Sequence, residues 1–113
     1  MRRTRRLDNY LRTYRRRAGF SQSELAYLLG TRDGAKVSRY ERNSRLPSFD
    51  ALLAMTLILG VPIDELFAGR VATTRGIVRR RAAFLKRRIL ARPQTAKSLR
   101  PLISLSRILR SPQ

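Results

Sequence analysis

The side chains that could do chemistry in this 113-residue chain are mostly cationic. The sequence contains 26 lysines and arginines, 7 acids, and no histidine or cysteine. Without histidine and cysteine, the chain cannot form a disulfide, a Cys/His zinc site or a nucleophile–histidine pair. A lack of cysteine is also typical of intracellular proteins. The chemistry that remains is the binding of a polyanion by guanidinium and ammonium groups.

Six of the seven acids lie near the start of a predicted helix, where the helix dipole stabilises negative charge. A structural role at these positions competes with a catalytic one. These acids are Asp8, Glu24, Asp33, Asp50, Asp64 and Glu65. We therefore expect that the protein is not an enzyme and that it uses no cofactor or metal ion.

The positive charge is concentrated at the two ends of the chain. Residues 1–17 hold eight arginines and one aspartate, residues 18–69 hold five bases and six acids, and residues 70–113 hold thirteen bases and no acid. Basic segments of this kind raise the affinity and encounter rate for a polyanion without conferring sequence selectivity.

No segment is expected to enter or cross a membrane. The longest apolar run, residues 51–59, is about half of the ~20 residues that a spanning helix needs. No apolar segment follows the N-terminal arginines, as it would in a secretion signal. We therefore expect a cytoplasmic protein.

Apolar residues recur at helical spacing and nowhere show a sustained strand-like alternation, which predicts an all-α fold. Leu7, Leu11, Tyr14 and Ala18 mark one face of a first helix, with Asp8 near its start and Gly19 at its end. Ser21 and Glu24 have the spacing of a capping box at the start of a second helix, whose buried side is Leu25, Ala26, Leu28 and Leu29. Gly30 ends that helix.

Further cap and stop residues predict five more helices. Asp33 caps a third helix, with Val37 and Tyr40 facing the core and Lys36, Ser38, Arg39 and Arg42 outside. A fourth helix begins at Pro47-Ser48 and stops at Gly60, and a short fifth spans residues 62–67. Gly69 marks an expected domain edge. Two later helices carry the stripes Val78, Ala82, Leu85, Ile89 and Leu99, Leu102, Leu105, Leu109, separated by Pro93. Tyr27, Tyr40, Phe49 and Phe67 are expected in the core.

These residues resemble the Cro and lambda-repressor type of helix-turn-helix domain, the XRE family, from about residue 8 to residue 69. The resemblance depends on four pieces in order: Ser21-Gln22-x-Glu24-Leu25-Ala26 with Gly30, then residues 37–42 (Val-Ser-Arg-Tyr-Glu-Arg), then Pro47-Ser48, then residues 60–66 (Gly-Val-Pro-Ile-Asp-Glu-Leu). It implies five helices, the third in the major groove of DNA and the second across the phosphate backbone.

The resemblance also implies roles for individual residues. Base reading would depend mainly on Lys36 and Arg39, with Ser38 and Arg42 as lesser candidates. Gly34 has no side chain, and Ala35 could contact only a thymine methyl. Arg15 and Glu41 match a structural ion pair between the first and third helices. The candidates for phosphate binding are Gln22, Ser23, Arg32, Arg42, Asn43 and Arg45.

The sequence thus predicts an all-α protein with three parts: a basic arm (1–7), a five-helix lambda-repressor-like domain (8–69) and a basic amphipathic helical extension (70–113). The expected function is sequence-specific binding of double-stranded DNA by a nucleoid-associated transcriptional regulator, a repressor by default. The extension could dimerise, lie on an anionic membrane surface or bind RNA, and we favour a homodimer. The alternatives are an antitoxin-type regulator, whose C-terminal helices bind a protein partner, and a largely nonspecific DNA or RNA binder.

Overall fold

The structure, a computed structural model, describes residues 9–110. In that range the chain forms seven helices and no strand, so the predicted all-α fold is confirmed. The chain divides into two compact units between Val71 and Ala72. The helices are α1 (Leu11–Arg17), α2 (Gln22–Leu29), α3 (Gly34–Glu41), α4 (Phe49–Leu59), α5 (Ile63–Leu66), α6 (Ala68–Leu90) and α7 (Ala96–Arg110).

Side-chain caps begin α2, α3 and α4 at the predicted residues. Ser21 Oγ accepts a hydrogen bond from the Glu24 amide at 3.0 Å, and Glu24 Oε1 accepts one from the Ser21 amide at 2.8 Å, which confirms the capping box. Asp33 Oδ1 accepts a hydrogen bond from the Ala35 amide at 3.0 Å, and Ser48 Oγ accepts one from the Ala51 amide at 3.1 Å. Each cap satisfies an amide that the helix leaves unpaired, which stabilises the fold by ~1 kcal/mol.

The start of α1 is fixed by a residue that the sequence analysis did not single out. Asn9 is buried, and its Oδ1 accepts a hydrogen bond from the Leu11 amide at 3.1 Å. Asp8, the expected cap, lies outside the described residues. The Tyr10 amide donates to the Leu66 carbonyl at 2.6 Å, which joins the start of α1 to the end of α5. That fifth helix is shorter than predicted, since Pro62 precedes it as the N-cap.

The first unit has one core, to which α1 to α5 all contribute. Tyr40 and Phe67 lie in it as predicted, but Tyr27 and Phe49 do not: their exposed fractions are 82% and 73%. Leu28, expected on the buried side of α2, is also exposed. The buried members of the core are Leu11, Leu25, Ala26, Val37, Tyr40, Met55, Leu66 and Phe67.

The second unit contains most of α6 and all of α7. From the two predicted stripes, Ala82 and Leu105 are buried, whereas Val78, Leu85 and Leu99 are exposed. Helix α6 begins at Ala68 and continues through Gly69, so helical backbone crosses the expected domain edge.

An arginine closes the end of α7 within the second unit. Arg79 donates from Nη1 to the Ile108 carbonyl at 3.1 Å and from Nη2 to the Leu109 carbonyl at 2.6 Å. These carbonyls belong to the last turn of the helix, where the backbone lacks donors of its own and the helix dipole favours a cation. Arg79 therefore joins α6 to α7 through two backbone carbonyls.

Candidate nucleic-acid interface

The outward face of α3 is defined by the two residues that anchor the helix. Val37 and Tyr40 are buried in the core. At 3.6 residues per turn, Ala35, Arg39 and Arg42 lie on the opposite face, and all three are exposed. Lys36 and Ser38 lie on the two sides of that face and are half-buried. The structure therefore places Ala35 and Arg39 on the solvent side of α3, with Lys36 and Ser38 at the margins of that face.

Lys36 and Arg39 line the same open groove beside the turn between α2 and α3. The groove has a volume of about 390 Å³. Its remaining wall is the turn itself, residues 30–33, which includes the phosphate-binding candidate Arg32. Within residues 9–110, neither Lys36 nor Arg39 has a side-chain hydrogen bond or ion pair, so both cationic groups remain available to a ligand.

The acids closest to this face in sequence have their carboxylates engaged elsewhere. Asp33 caps the N-terminus of α3 through the Ala35 amide. Glu41 accepts from Arg15 Nε at 2.5 Å, and the side chains of this ion pair are only 8% and 4% exposed. The predicted pair between the first and third helices is therefore present. The outward face of α3 is left with an excess of positive charge.

Gly34 has a packing role that the sequence analysis missed. A Cβ atom built at Gly34 would lie 3.0 Å from Gln22 Cβ, and 3.2 Å from the Gln22 carbonyl carbon and the Ser23 amide nitrogen. These distances are tighter than ordinary carbon contacts, because the first turn of α2 lies directly against the first residue of α3. The absence of a side chain lets the two helices approach closely. A helix start at a glycine is the sequence signal that could have indicated such an approach.

The phosphate-binding candidates lie at both ends of α3. Gln22 and Ser23 stand at the start of α2, next to Gly34, and Ser23 is exposed. The Gln22 amide group donates to Glu41 Oε1 at 3.1 Å, so its orientation is set by the same carboxylate that binds Arg15. An oriented side-chain amide loses less conformational entropy when it binds a ligand.

The loop after α3 is held in place by the buried Asn9. Asn9 Nδ2 donates to the Tyr40 carbonyl at 3.1 Å and to Asn43 Oδ1 at 2.6 Å. Asn43 has a φ of 61°, a left-handed conformation that asparagine tolerates better than most residues. Arg42 and Arg45 are exposed on either side of it, and Arg42 Nε donates to the Ser38 carbonyl at 3.3 Å. Sequence reasoning could have found Asn9 as a cap-type residue two positions before Leu11.

Comparison with known proteins identifies the family. Residues 7–68 match the model of the helix-turn-helix domain, which is more than half of the chain. The chain belongs to this helix-turn-helix family. The helix-turn-helix domain thus covers α1 to α5, and the match is consistent with the XRE type that the sequence predicted. No curated protein and no solved structure matched the chain.

The helix-turn-helix domain indicates DNA binding by a regulator. Domains of this family are typically not enzymes. Across residues 9–110, no helix combines the length and apolar character needed to cross a membrane. The same residues contain no group of three or more His, Cys, Asp or Glu side chains that could hold a metal ion.

Proposed function

We propose that the protein is a sequence-specific transcriptional regulator that inserts α3 into the major groove of double-stranded DNA. Arg39 is the observation that carries this proposal. It is exposed, it lies opposite the buried Val37 and Tyr40, and its guanidinium forms no hydrogen bond or ion pair with the described residues. A guanidinium on the outward face of a groove-binding helix can donate two hydrogen bonds to guanine O6 and N7.

The other candidates have roles that follow from their places around Arg39. Lys36 would reach base edges or phosphates from the groove that it shares with Arg39, while Ser38 and Ala35 would contribute a hydroxyl contact and an apolar contact with a thymine methyl. Phosphates would be bound on both sides of the helix, which fixes its register on the duplex. The phosphate-binding residues would be Gln22, Ser23, Arg32, Arg42, Asn43 and Arg45.

Three parts of the chain would have separate roles in binding DNA. Residues 8–69 form the DNA-binding domain, residues 1–7 a basic arm, and residues 70–113 a basic helical extension. Occupancy of an operator by a homodimer would block polymerase, so repression is the proposed outcome and the nucleoid the proposed location. Helix-turn-helix proteins commonly pair to engage two half-sites about one helical turn apart.

Two alternatives have specific support in the second unit. The thirteen bases and no acid of residues 70–113 favour largely nonspecific binding of DNA or RNA. The exposed Phe84, Leu99 and Ile103 favour a protein partner, as in an antitoxin-type regulator. Nonspecific binding predicts that α3 contributes little sequence discrimination, whereas an antitoxin-type regulator would still bind its own operator through the helix-turn-helix domain.

Arg39→Ala tests the proposal against nonspecific binding. A preferred duplex is first selected from a random pool, and binding to it and to random duplex is then measured by titration at one salt concentration. Loss of a bidentate base contact should weaken binding to the preferred duplex by ~1–3 kcal/mol and barely change binding to random duplex.

Arg80→Ala is the matched control, because Arg80 is an exposed arginine on α6 and its loss removes the same charge. This control should leave the ratio of the two affinities unchanged. If Arg39→Ala lowers both affinities equally, α3 does not read bases and the specific-regulator proposal is wrong.

A further inference from the structure

Helix α4 carries an apolar stripe that the first unit does not cover. Phe49, Leu53 and Leu57 are spaced four residues apart, so they lie on one side of the helix. Their exposed fractions are 73%, 48% and 83%. Met55, on the side that faces the core, is fully buried and holds α4 in place. The exposure of the stripe is therefore a consequence of how α4 is anchored.

The stripe is almost free of charge. Asp50, in the first turn, is the only ionisable residue of α4. A row of large apolar side chains on a surface helix of a small domain is typical of an interaction site. Leu57 is exposed as fully as Tyr27 on α2, and the stripe differs from Tyr27 and Leu28 in placing three large apolar side chains in one row along a helix.

The charge distribution favours the stripe over the C-terminal helices as a contact between two copies of the chain. In a symmetric pair the same patch of both copies meets itself, so a patch rich in one sign of charge repels its copy. Residues 70–113 have thirteen bases and no acid, which disfavours pairing through α6 and α7. Residues 18–69 have five bases and six acids, and within them the α4 stripe presents no base.

We infer that the α4 stripe is the contact through which two copies of this chain pair. The inference rests on the proposed function only in supposing that a regulator of this kind binds DNA as a homodimer. It assigns the pairing to Phe49, Leu53 and Leu57 instead of to the C-terminal helices. Two-fold symmetry would bring the α4 helices of the two copies side by side, with Leu53, the middle residue of the stripe, closest to the axis.

The small size of the stripe sets the strength of the pair. Stable protein interfaces bury about 1,200–2,000 Å² in total, more than three side chains per copy supply. The pair is therefore weak in free solution, dissociates on dilution and is strengthened when both copies bind one duplex.

Sedimentation equilibrium of the full chain without DNA tests the inference, at raised salt to screen repulsion between the basic segments. The unsubstituted chain should approach twice its 13.1 kDa mass as its concentration rises. Leu57→Gln should shift the dissociation constant upward by about tenfold or more, since the substitution acts in both copies. Leu99→Gln is the matched control, because it changes another exposed leucine, on α7, in the same way.

Three results would overturn the inference. The first is an unsubstituted chain that stays monomeric up to its solubility limit. The second is dissociation caused by Leu99→Gln and not by Leu57→Gln, which would place the pairing on the C-terminal helices. The third is a Leu57→Gln variant that associates as strongly as the unsubstituted chain but melts at a lower temperature. That result would mean that the stripe packs within one copy of the chain and not between two.

The lack of native cysteine allows a second, independent measurement. Leu53→Cys should form a disulfide-linked dimer under mild oxidation, because the two sulfurs meet near the axis. Leu99→Cys, which places a cysteine at another exposed leucine, should form little disulfide-linked dimer. Equal linking of both variants would contradict the assigned contact.

DNA binding separates the failure of this inference from the failure of the proposed function. With the duplex selected from a random pool, Leu57→Gln should retain its affinity for one half-site and lose the additional affinity for two half-sites on one duplex. A chain without DNA affinity that still pairs through α4 would refute the proposed function alone. A chain that binds both half-sites independently, with or without the stripe, would refute the inference alone.

Discussion

At the scale of single residues, one buried network ties the domain together. Arg15 donates from Nε to Glu41 Oε2 and from Nη1 to the Phe20 carbonyl at 2.8 Å, while Gln22 donates to Glu41 Oε1. The network joins α1, the start of α2 and α3. Two charges taken out of water in this way are costly unless each keeps its partner, so the network depends on all of its members.

Removing one charge of this pair should destabilise the domain strongly. Glu41→Gln leaves the Arg15 guanidinium buried without its counter-charge, which should cost about 3–5 kcal/mol of the free energy of unfolding. Denaturant titration followed by circular dichroism measures this change. Glu65→Gln is the control, since Glu65 is an exposed acid that accepts one hydrogen bond, from Tyr14 at 3.3 Å.

The control substitution should change the free energy of unfolding by no more than ~1 kcal/mol. Equal effects of Glu41→Gln and Glu65→Gln would mean that the buried pair contributes nothing beyond an exposed contact. The pair itself was available from sequence only through the family resemblance, because Arg15 and Glu41 lie 26 positions apart. The contacts of Asn9 were not available, because they depend on where the loop after α3 passes.

At the scale of elements, the helix starts were the most predictable part of the fold. Ser21, Asp33 and Ser48 cap helices as expected, because a cap is a local interaction within four residues. The exposed faces were less predictable. Helix α4 is apolar around nearly its whole circumference, so its sequence cannot indicate which side meets the core. That is why the exposure of Phe49 was predicted wrongly.

Helix propensity and packing make opposite predictions for two helical glycines. Gly76→Ala, in α6, should stabilise the chain by about 0.5–1 kcal/mol, since the nearest atom to an added Cβ is Arg80 Nη1 at 4.0 Å. Gly34→Ala should destabilise it by about 1–3 kcal/mol, because the added carbon meets Gln22 and Ser23 backbone.

Thermal unfolding of both glycine variants, under the same conditions, is the measurement. A stabilising effect of Gly34→Ala would show that α2 and α3 can separate slightly without cost. The packing of α3 against α2 would then accommodate a side chain at position 34, contrary to our prediction. A destabilising effect of Gly76→Ala would contradict the open surroundings of that residue.

At the scale of the whole molecule, the positive charge is concentrated outside residues 18–69, the segment that contains α3. Residues 18–69, which include the outward face of α3, hold five bases and six acids and are therefore nearly neutral. Residues 72–113, the second unit, contain no aspartate or glutamate, and Arg79 donates to the last carbonyls of α7. Charge of one sign raises affinity for every duplex, so in the proposed recognition mode the discrimination between sequences would come from α3.

This division predicts separable effects of substitutions in the second unit. Replacing the exposed Arg80, Arg81, Arg87 and Arg88 by glutamine should weaken binding to preferred and random duplex alike. If all four contact phosphates, the slope of log affinity against log salt should fall by up to ~3.6. Titrations at several salt concentrations measure both quantities. A changed ratio of preferred to random affinity would mean that these arginines take part in sequence recognition.

The close contact at Gly34 limits how this protein could acquire a new operator. In the proposed recognition mode, substitutions at Ala35, Lys36, Ser38 and Arg39 change which bases are read, because these side chains point away from the core. A side chain at Gly34 would instead require the first turn of α2 to shift, because Gln22 and Ser23 lie directly against that position. Under this mode, new specificity would arise more readily at the later positions of α3 than at its first, where the backbone of a neighbouring helix occupies the space.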